Sequence, residues 1–406
     1  MTVEAPFRAG PAIPQPAFER LRRRAMFEVF KWDDVSGDEG LLCPFPVLVS
    51  RSAYRSMADL AETLAAEALA AEVELLHRPE LHASLGLPDE LIAALSTAAR
   101  APSKGSVRVT RFDFHPTPEG LRITESNCDV ASGYVEASGF AAMIAEHCPG
   151  HALSGDPAGA LASELLRATA PGARIGLLHL TTHTDDHQIM RYLATRLAAA
   201  GLAPVFLGPE HLRFRDGQAS SVADTDPGPL DAVFRFLPAQ WLAALPPEAG
   251  FPLFFEGAAT ELCNPGYAVL THSKRFALVW DQLAAPLPTW RAMLPETASP
   301  DAVGAAETGW VHKPALGFEG VDVAIDGALP AEAISDIRRR ALESPATWVA
   351  QRRFDSLLLD TPLGPMFACL GIFVIGGKAS GAYARLSRTP RIDAAAREAA
   401  VLVEMP

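Results

Sequence analysis

The chain reads VRVTRFDFHPTPEGLRITESN over residues 107–127, and this stretch decides the fold. The segment HPTPEGL in its middle contains two prolines and a glycine, residue types that favour a reversal of the chain. We therefore predict a hairpin in which VRVTRFDF and LRITESN form antiparallel strands.

Four polar side chains of this hairpin are expected to meet on one face. Successive side chains of a strand point to opposite faces, so Arg111 and Asp113 share one face of the first strand. By the same rule, Glu125 and Asn127 share one face of the second strand. With the turn centred on either residue of its Pro-Glu pair, odd-numbered residues oppose odd-numbered ones, and all four side chains converge.

The patch has the chemistry of a magnesium nucleotide site. Carboxylate and amide oxygens are hard ligands that suit Mg²⁺, which takes its remaining oxygens from water and substrate phosphates. An arginine beside them would bind a phosphate oxygen. The alternative is a solvated hairpin face with cross-strand charge pairs, and the hairpin alone does not decide between these two interpretations.

The chain is long enough for two or three domains, and its composition is that of an ordinary globular protein. The chain has 406 residues, of which 49% are hydrophobic and 20% are charged. Its net charge of −13 disfavours nucleic acid and anionic membranes as partners. No apolar signal segment is present and no run approaches the roughly 18 apolar residues of a membrane span, so we expect a cytoplasmic protein. The five cysteines include no CxxC pair and are predicted to be reduced thiols.

Lysine is scarce, with five residues against thirty arginines, so the positions of the lysines are informative. Lys274, Lys313 and Lys378 fall in the second half of the chain, and the first two lie inside motifs described below. Because this chain uses arginine as its ordinary surface cation, a lysine inside a motif is worth following.

The remaining sequence alternates between helical and strand patterns. Residues 52–100 are rich in Ala, Leu and Glu at helical spacing, which predicts a helical layer. From residue 172 onward, amphipathic segments separate the apolar runs RIGLLHL, PVFLG, DAVFRFL and PLFFEG, a pattern typical of a parallel sheet with crossover helices. No GxGxxG sequence occurs there, so a dinucleotide-binding domain is not indicated.

Two later segments are typical of paired strands. Segment 308–325 predicts a strand, a glycine-bearing loop and a second strand. The stretch FACLGIFVIGGKASGAYARLS predicts two strands joined across Gly376-Gly377-Lys378.

Four dispersed motifs are RFDF with ESN, NPGYAVLTHSKRFALVWDQ, HKPALGFEG and GIFVIGGKASGAYARLS. Together and in this order, they resemble the glutathionylspermidine-synthetase-like branch of the ATP-grasp ligases. The resemblance spans residues 105–390. It implies an α/β (α+β) ATP-grasp fold that is circularly permuted, with the metal-binding strands early in the chain and the lysine-bearing lid late.

The resemblance also implies a division of the chain into five regions. These are a helical N-terminal layer (1–105), a first part of the ATP-grasp core with the metal-binding hairpin (106–150), a Rossmann-like α/β substrate subdomain (151–290), a lid with a Gly-rich loop (291–345) and a return to the core (346–406).

Position by position, the resemblance assigns the hairpin residues to metal and phosphate. Asp113, Glu125 and Asn127 match the family's magnesium ligands, with two ions expected. Arg111 matches the arginine that contacts the transferred phosphate, and Arg385 in GAYARLS matches a second phosphate-binding arginine. Both arginines are therefore predicted to take part in catalysis.

A second group of residues is assigned to ATP. Lys274 matches a nucleotide-binding lysine near the start of a helix, and Lys313 matches the lid lysine that holds ATP phosphates. Gly317 and Gly320 belong to the Gly-rich loop, and glycine lets a backbone approach phosphate closely because it has no Cβ. Gln351 in WVAQRRF matches a residue that lines the adenine pocket.

Substrate contacts are predicted at Ser132, near the start of the helix after the hairpin, and at Asp185 and Asp186. The two aspartates are open to two interpretations. They stand where a helix begins, and carboxylates are favourable in a first turn. The resemblance instead implies that acidic residues of this helix bind a cationic amine.

Two other patterns are not promoted to sites. His179, His183 and His187 are spaced four apart and invite a zinc interpretation, but the first lies in a predicted strand, so the three would not share one helical face. Cys128 has no partnered base in the sequence and is interpreted as a small buried thiol rather than a nucleophile.

The function implied is ATP-dependent joining of a small-molecule or peptide acid to an amine. The acid would attack the γ-phosphate, the amine would attack the resulting acyl phosphate, and ADP and phosphate would leave. One alternative is a non-catalytic nucleotide-binding regulatory protein of the same fold. Another is a kinase-like enzyme that stops at a phosphorylated product.

Overall fold

A computed structural model of the chain describes residues 6–33, 35–36, 39–97, 107–242, 245, 249–303 and 308–405. The α-helices are Gln15–Glu28 (α1), Arg51–Leu76 (α2), Asp89–Thr97 (α3), Ala141–Ala145 (α4), Pro157–Ala168 (α5), Thr184–Ala199 (α6), Ala239–Leu242 (α7), Leu253–Glu256 (α8), Val269–His272 (α9), Pro288–Met293 (α10), Pro300–Val303 (α11) and Ala331–Glu343 (α12). Tighter or wider helical turns are Pro79–Leu85, Pro209–His211, Gly266–Ala268, Lys274–Gln282 and Pro345–Thr347 (3₁₀) and Val135–Phe140 (π).

The strands are Phe7–Ala9 (β1), Val35–Ser36 (β2), Glu39–Gly40 (β3), Val47–Val49 (β4), Val109–Thr117 (β5), Gly120–Asn127 (β6), His151–Leu153 (β7), Arg174–His179 (β8), Ala203–Leu207 (β9), Leu212–Arg215 (β10), Gln218–Ser221 (β11), Gly228–Pro229 (β12), Ala232–Phe236 (β13), Glu261–Cys263 (β14), Thr297–Ala298 (β15), Trp310–Pro314 (β16), Trp348–Arg352 (β17), Leu358–Leu359 (β18), Met366–Ile375 (β19), Lys378–Ser387 (β20) and Arg397–Glu404 (β21).

The largest sheet has the strand order β1-β4-β21-β20-β19-β5-β6. Phe112 and Phe114 of β5 belong to the same core cluster as Leu64 of α2, because this helix covers one face of the sheet. The intervening Asp113 therefore points to the opposite face. The antiparallel pair β19–β20, joined across Gly376 and Gly377, confirms the strand pair predicted there.

The hairpin forms as predicted, but its register is more complex than expected. Near the turn His115 pairs with Arg122, so an odd-numbered residue opposes an even-numbered one. A β-bulge around Asp113 then shifts the register, and Arg111 pairs with Asn127. The odd-to-odd expectation is thus wrong near the turn and correct beyond the bulge. Since a one-residue slip sends a side chain to the other face, the bulge brings Asn127 to the side of Arg111.

The predicted parallel sheet is present, with the order β14-β13-β8-β9 and parallel pairing throughout. Its fourth strand is β14, whereas the apolar run PLFFEG forms the short helix α8 and not a strand. Pro252 precedes this helix, and Gly257 follows it with φ +95°. Proline at the start and a left-handed glycine at the end are typical helix boundaries. Here they favour a helix although the apolar run between them predicts a strand.

The N-terminal region is helical over α1 and α2, as expected. It also contributes β1 and β4 to the largest sheet, where β4 pairs in parallel with β21. The region is therefore a mixed layer and not a purely helical one.

The predicted lid region contributes β15 and β16 to a three-stranded sheet with the order β15-β17-β16, whose middle strand lies beyond the predicted boundary at residue 345. The second strand expected after its loop does not form, and Ala324 makes only an isolated bridge to His312. Ala324 instead packs with Ile334 and Ile337 of α12 under the lid.

The α/β class is therefore confirmed, whereas the circular permutation and the region boundaries stay predictions. Within the described part of the chain, no helix combines the length and the apolar character needed to cross a membrane.

Candidate active site

A cavity of about 760 Å³ opens between the largest sheet, the parallel sheet and the lid. Every residue that the sequence assigned to metal, nucleotide, catalysis or substrate lines it. These residues are Arg111, Asp113, Glu125, Asn127, Ser132, Asp185, Asp186, Lys274, Lys313, Gly317, Gly320, Gln351 and Arg385. The structure thus brings together residues that are up to 274 positions apart, and their individual roles stay predictions.

Asp113 lies between two arginines in the floor of the cavity. Arg111 donates from Nε to Oδ1 at 2.7 Å and from Nη2 to Oδ2 at 2.9 Å, and Arg385 donates from Nη2 to Oδ2 at 2.9 Å. Burial alone would raise the pKa of Asp113, but Arg111 and Arg385 outweigh it and hold the pKa well below its usual range. The carboxylate is therefore charged at any physiological pH.

Gly371, which sequence reasoning missed, makes room for this pair. It is the register partner of Asp113 on the neighbouring strand β19. A Cβ at this position would lie 2.8 Å from Cδ of Arg111 and 3.1 Å from Oδ1 of Asp113. The sequence alone does not reveal this role, because a glycine inside an apolar strand can be placed beside Arg111 only when the strand order is known.

Asn127 and Ser132 complete the surroundings of the arginine-carboxylate pair. The amide nitrogen of Asn127 lies 3.3 Å from Oδ2 of Asp113, and the backbone carbonyl of Ser132 accepts from Nη1 of Arg111 at 2.7 Å. The guanidinium of Arg111 also stacks over the Tyr383 ring at 5.4 Å from its centroid. Arg111 is thereby fixed from three directions.

Glu125 is paired with Lys274, whose Nζ lies 2.9 Å from Oε2. The same ammonium donates to the backbone carbonyl of Gly317 at 2.5 Å, so it bridges the hairpin and the Gly-rich loop. Burial by itself would raise the pKa of Glu125, but Lys274 and Lys313 lower it to about 2. Ser273 caps the 3₁₀ helix that begins at Lys274, which fixes the lysine at its first position.

Lys313 extends from the lid strand β16 toward the hairpin. Its Nζ donates to Oε1 of Gln351 and to the backbone carbonyl of Thr124, both at 2.9 Å. Burial lowers the pKa of Lys313 to about 8, although Glu125 opposes the shift. Gln351 is itself held by Thr297, to which its amide donates at 3.1 Å. The lid thus contacts the hairpin through a desolvated ammonium.

Gly317 and Gly320 of the lid loop differ in backbone conformation and in the space around their Cα atoms. Gly320 has φ +68°, and a Cβ there would lie 2.8 Å from the carbonyl oxygen of Ile392. Gly317 has no left-handed φ and serves through its carbonyl, which accepts from Lys274. Glycine is therefore required by conformation and space at Gly320 only.

The donor chemistry of Asp113, Glu125 and Asn127 fits magnesium. Two carboxylates and an amide oxygen leave open positions for water and phosphate oxygens, as Mg²⁺ requires. Arginine and lysine side chains now neutralise the two carboxylates. A bound Mg²⁺ would neutralise the carboxylates in place of these cations. Among the described residues, no three His, Cys, Asp or Glu side chains form a metal-ligating group, and the carboxylate-amide set stays a prediction.

Asp185 and Asp186 lie in the first turn of α6, so the helix start predicted there is confirmed. Both also line the cavity. Burial raises the pKa of Asp186 to about 6, and burial together with Asp33 raises that of Asp185. Asp186 is half-buried and Asp185 is exposed, and binding of a cationic ligand by either carboxylate stays a prediction.

Sequence reasoning missed several charged residues of the same cavity, and four of them belong together. Lys31, Asp33, Glu136 and Glu398 line it and form one ion-pair cluster. The scarcity of lysine was a usable signal, because Lys31 belongs to the same small set as Lys274 and Lys313. The three carboxylates carried no signal, since they come from three distant segments.

The patterns left aside are consistent with structural roles. His179 and His187 stack with their centroids 5.4 Å apart, and Nε2 of the former lies 3.1 Å from Nδ1 of the latter, without forming a three-ligand metal group. Cys128 is buried, and burial raises the pKa of its thiol to about 11, which disfavours the reactive thiolate. All five cysteines are buried free thiols.

Two solved structures were compared with this chain, and the first of them has the same fold. A glutathione synthetase-like effector from Globodera pallida, in its apo form, aligns with 96% of this chain and 98% of its own, with a TM-score of 0.63 and 15% sequence identity. A putative γ-glutamylcysteine synthetase from Methylobacillus flagellatus KT aligns with 80% of this chain and 84% of its own, with a TM-score of 0.42 and 12% identity. A comparison with curated proteins found no match.

The fold and the cavity together define a protein of the ATP-grasp-like synthetase class. Within that class, the chain belongs to the glutathionylspermidine synthase preATP-grasp family, whose model matches residues 29–404. The resemblance drawn from the four dispersed motifs is thereby confirmed.

Proposed function

We propose that this protein is an ATP-dependent carboxylate-amine ligase that forms an amide through an acyl phosphate and releases ADP and phosphate. The observation that carries the proposal is the convergence of four cations and two acidic side chains in one cavity beneath a Gly-rich loop. The cations are Arg111, Arg385, Lys274 and Lys313. Membership in a family named for a synthetase supports the same conclusion.

In the nucleotide complex, Lys274 and Lys313 bind the ATP phosphates under the lid loop. Both ammonium groups now contact backbone carbonyls of the loop or the hairpin, and phosphate oxygens would replace those neutral acceptors. Gln351 holds Lys313 at the inner end of the lid strand and so sets the direction of its side chain. Mg²⁺, held by Asp113, Glu125 and Asn127, would neutralise phosphate charge.

The two arginines stabilise the group in transfer. Arg111 is held by Asp113, Ser132 and Tyr383, so its guanidinium needs little reorganisation when negative charge develops beside it. Arg385 supplies a second guanidinium from β20, which β19 separates from the strand of Arg111. The acid's carboxylate attacks the γ-phosphate, and the resulting acyl phosphate is attacked by the amine.

The closed lid excludes water from the acyl phosphate. The contact between Trp241 and Phe318, whose ring centroids lie 6.1 Å apart, joins the lid loop to the parallel-sheet side of the cavity. Water exclusion matters because hydrolysis of the intermediate would waste ATP. The substrates proposed are a small-molecule or peptide acid and an amine, as the family's name suggests.

The test is ADP release with Mg²⁺ and ATP across a panel of acids, with hydroxylamine present to trap the acyl phosphate as a hydroxamate. Glu125→Ala should abolish acid-dependent ADP release. The matched control is Glu119→Ala, which removes an exposed carboxylate from the turn of the same hairpin.

Acid-dependent ADP and hydroxamate, lost in Glu125→Ala and kept in Glu119→Ala, are the expected results. ATP binding without turnover for any acid and amine would point instead to a non-catalytic nucleotide binder. A stable phosphorylated product with no amide would point to a kinase-like enzyme.

A further inference from the structure

The acidic end of the cavity contains a buried ammonium of the protein itself. The side chain of Lys31 is 1% exposed, and its Nζ lies 2.5 Å from Glu136, 2.7 Å from Glu398 and 2.9 Å from Asp33. Burial opposes the charge, but Glu136, Glu398 and Asp33 raise the pKa of Lys31 well above its usual value. The group is therefore a fixed cation within a three-carboxylate cluster.

The backbone holds Lys31 in this position. The residue follows helix α1, and its N–H donates to the carbonyl of Ala25 at 3.0 Å, a bond that spans six residues and closes the helix end. Phe30 adopts φ +62° at that point although it is not glycine. The next residue, Trp32, donates its N–H to Oε1 of Gln188 on α6 at 2.6 Å. The segment is thus tied to its own helix and to the opposite wall.

The cluster adjoins the place where the proposed reaction occurs. Glu398 on β21 is the register partner of Arg385, so the two residues are neighbours on adjacent strands. Glu136 lies on the π-helical turn that follows Ser132, whose carbonyl holds Arg111. The cluster and the two arginines therefore line one cavity.

We propose that Lys31 determines acceptor specificity: its ammonium occupies a cation site formed by Asp33, Glu136 and Glu398, so the accepted amine is one without a second ammonium group. This inference rests on the proposed ligase function. A diamine or polyamine would place a second ammonium in the same cluster, where Lys31 already stands. The ammonium of Lys31 thus provides the positive charge that the second ammonium of a diamine would otherwise provide.

The charge balance agrees with this assignment. Buried carboxylates without a cation are strongly unfavourable, so the cluster requires one. With Lys31 present, burial and the adjacent Glu136 still raise the pKa of Glu398 to about 8.

The first test needs no enzymatic activity. Lys31→Ala removes three methylenes and the ammonium, which are the atoms of n-propylammonium. We expect the variant to have a lower Tm than the unmodified protein and to regain about 2 °C or more with n-propylammonium. Propanol at the same concentration should have no such effect.

The matched control is Lys378→Ala, which removes a lysine that is 79% exposed and bonded to a single glutamate, Glu62. Neither this variant nor the unmodified protein should respond to n-propylammonium. An equal response of all three proteins, or no response of a folded Lys31→Ala, would overturn the proposal.

A variant that fails to fold still gives an answer. Recovery of soluble Lys31→Ala by refolding in n-propylammonium but not in propanol supports the cation site, and recovery in neither contradicts it. The double variant Lys31→Met with Glu136→Gln, in which a cation and a carboxylate are removed together, should fold and show no response to the amine.

The second test addresses specificity. In Lys31→Ala the ratio of kcat/KM for a diamine to that for the monoamine of equal length should rise by about tenfold or more. An unchanged ratio in an active variant would refute the specificity role. Absence of ligase activity in every form of the protein would instead refute the proposed function, and the n-propylammonium response would remain as a separate result.

Discussion

Asp113 accepts hydrogen bonds from Arg111 at 2.7 and 2.9 Å and from Arg385 at 2.9 Å, so the carboxylate assigned to the metal is also the anion that positions both proposed catalytic arginines. Arg111 and Asp113 lie on β5, and Arg385 lies on β20 of the same sheet. Metal binding and arginine placement are therefore coupled through one side chain.

Asp113→Asn should impair both stability and chemistry. Removing the charge leaves the buried guanidinium of Arg111 and the partly buried one of Arg385 without their anion, and we expect the free energy of unfolding to fall by about 3 kcal/mol. Turnover should fall by at least about a hundredfold, because the arginines lose their orientation. Denaturant unfolding and ADP release measure the two effects. Asp281→Asn, at a side chain that is 92% exposed, should change neither.

Gly371→Ala should act through Arg111. The new Cβ would lie 2.8 Å from Cδ of Arg111, so the guanidinium must move, and we expect kcat to fall by about tenfold or more. Gly377→Ala is the control, because φ +80° makes it strained while no atom lies within 4 Å of its Cβ. Stability loss in both variants with a kcat loss in Gly371→Ala alone is the expected pattern. Equal kcat values would contradict the steric argument.

ATP affinity should decrease above pH 8. The phosphates need the charged form of Lys313, whose pKa is lowered to about 8 by burial, so each further pH unit should weaken binding by about tenfold. Calorimetric titration between pH 7 and pH 9.5 measures this. Lys313→Arg keeps its charge in this range and should show a flat profile. A sloping profile in that variant would assign the titration to another group.

The same lysine has the opposite effect on stability without ligand. Its pKa is lower in the folded state than the ordinary value of 10.5, so the unfolded chain binds more protons between pH 8 and pH 10.5. The contribution of Lys313 to stability should therefore rise with pH across this window. Thermal unfolding of the unmodified protein and of Lys313→Met at pH 7.5 and pH 10 should show the unmodified protein gaining stability relative to the variant at the higher pH.

Asp186→Asn separates the two interpretations of the acidic helix start. Burial raises the pKa of Asp186 to about 6. Between the ordinary pKa of aspartate and pH 6, the folded state therefore binds more protons than the unfolded state. Above pH 6 the carboxylate is charged in both states, and its charge lowers the stability of the folded protein. The variant should have a higher Tm at pH 7 and an unchanged Tm below the ordinary pKa of aspartate. A simultaneous loss of amine affinity would assign Asp186 to substrate, whereas unchanged affinity would leave it a helix-start residue.

The elements that the sequence predicted well are those with strong local signals. The β-branched run around Arg111 and the apolar run of β19 identify their strands, and the turn residues between β5 and β6 identify the hairpin. The site residues followed from four motifs in a fixed order, because no single one of them distinguishes a ligand from a surface charge.

What the sequence could not predict depends on contacts between distant segments. The bulge at Asp113 adds one residue to a ladder and leaves no mark on composition. The role of Gly371 appears only when β19 is known to lie beside β5. Lys31 and Glu398 stand 367 positions apart, and their pairing follows from the addition of β21 to the same sheet.

The bulge at Asp113 has a consequence for protein engineering. The bulge changes the strand register between the hairpin tip and the proposed metal ligands. The pairing at the tip, around Pro118 and Glu119, therefore differs in register from the pairing at the site. A short peptide tag or a fluorophore attachment site inserted at the tip should leave Arg111 opposite Asn127. The tip is therefore the position at which to install a reporter of nucleotide binding without disturbing the site that it reports on.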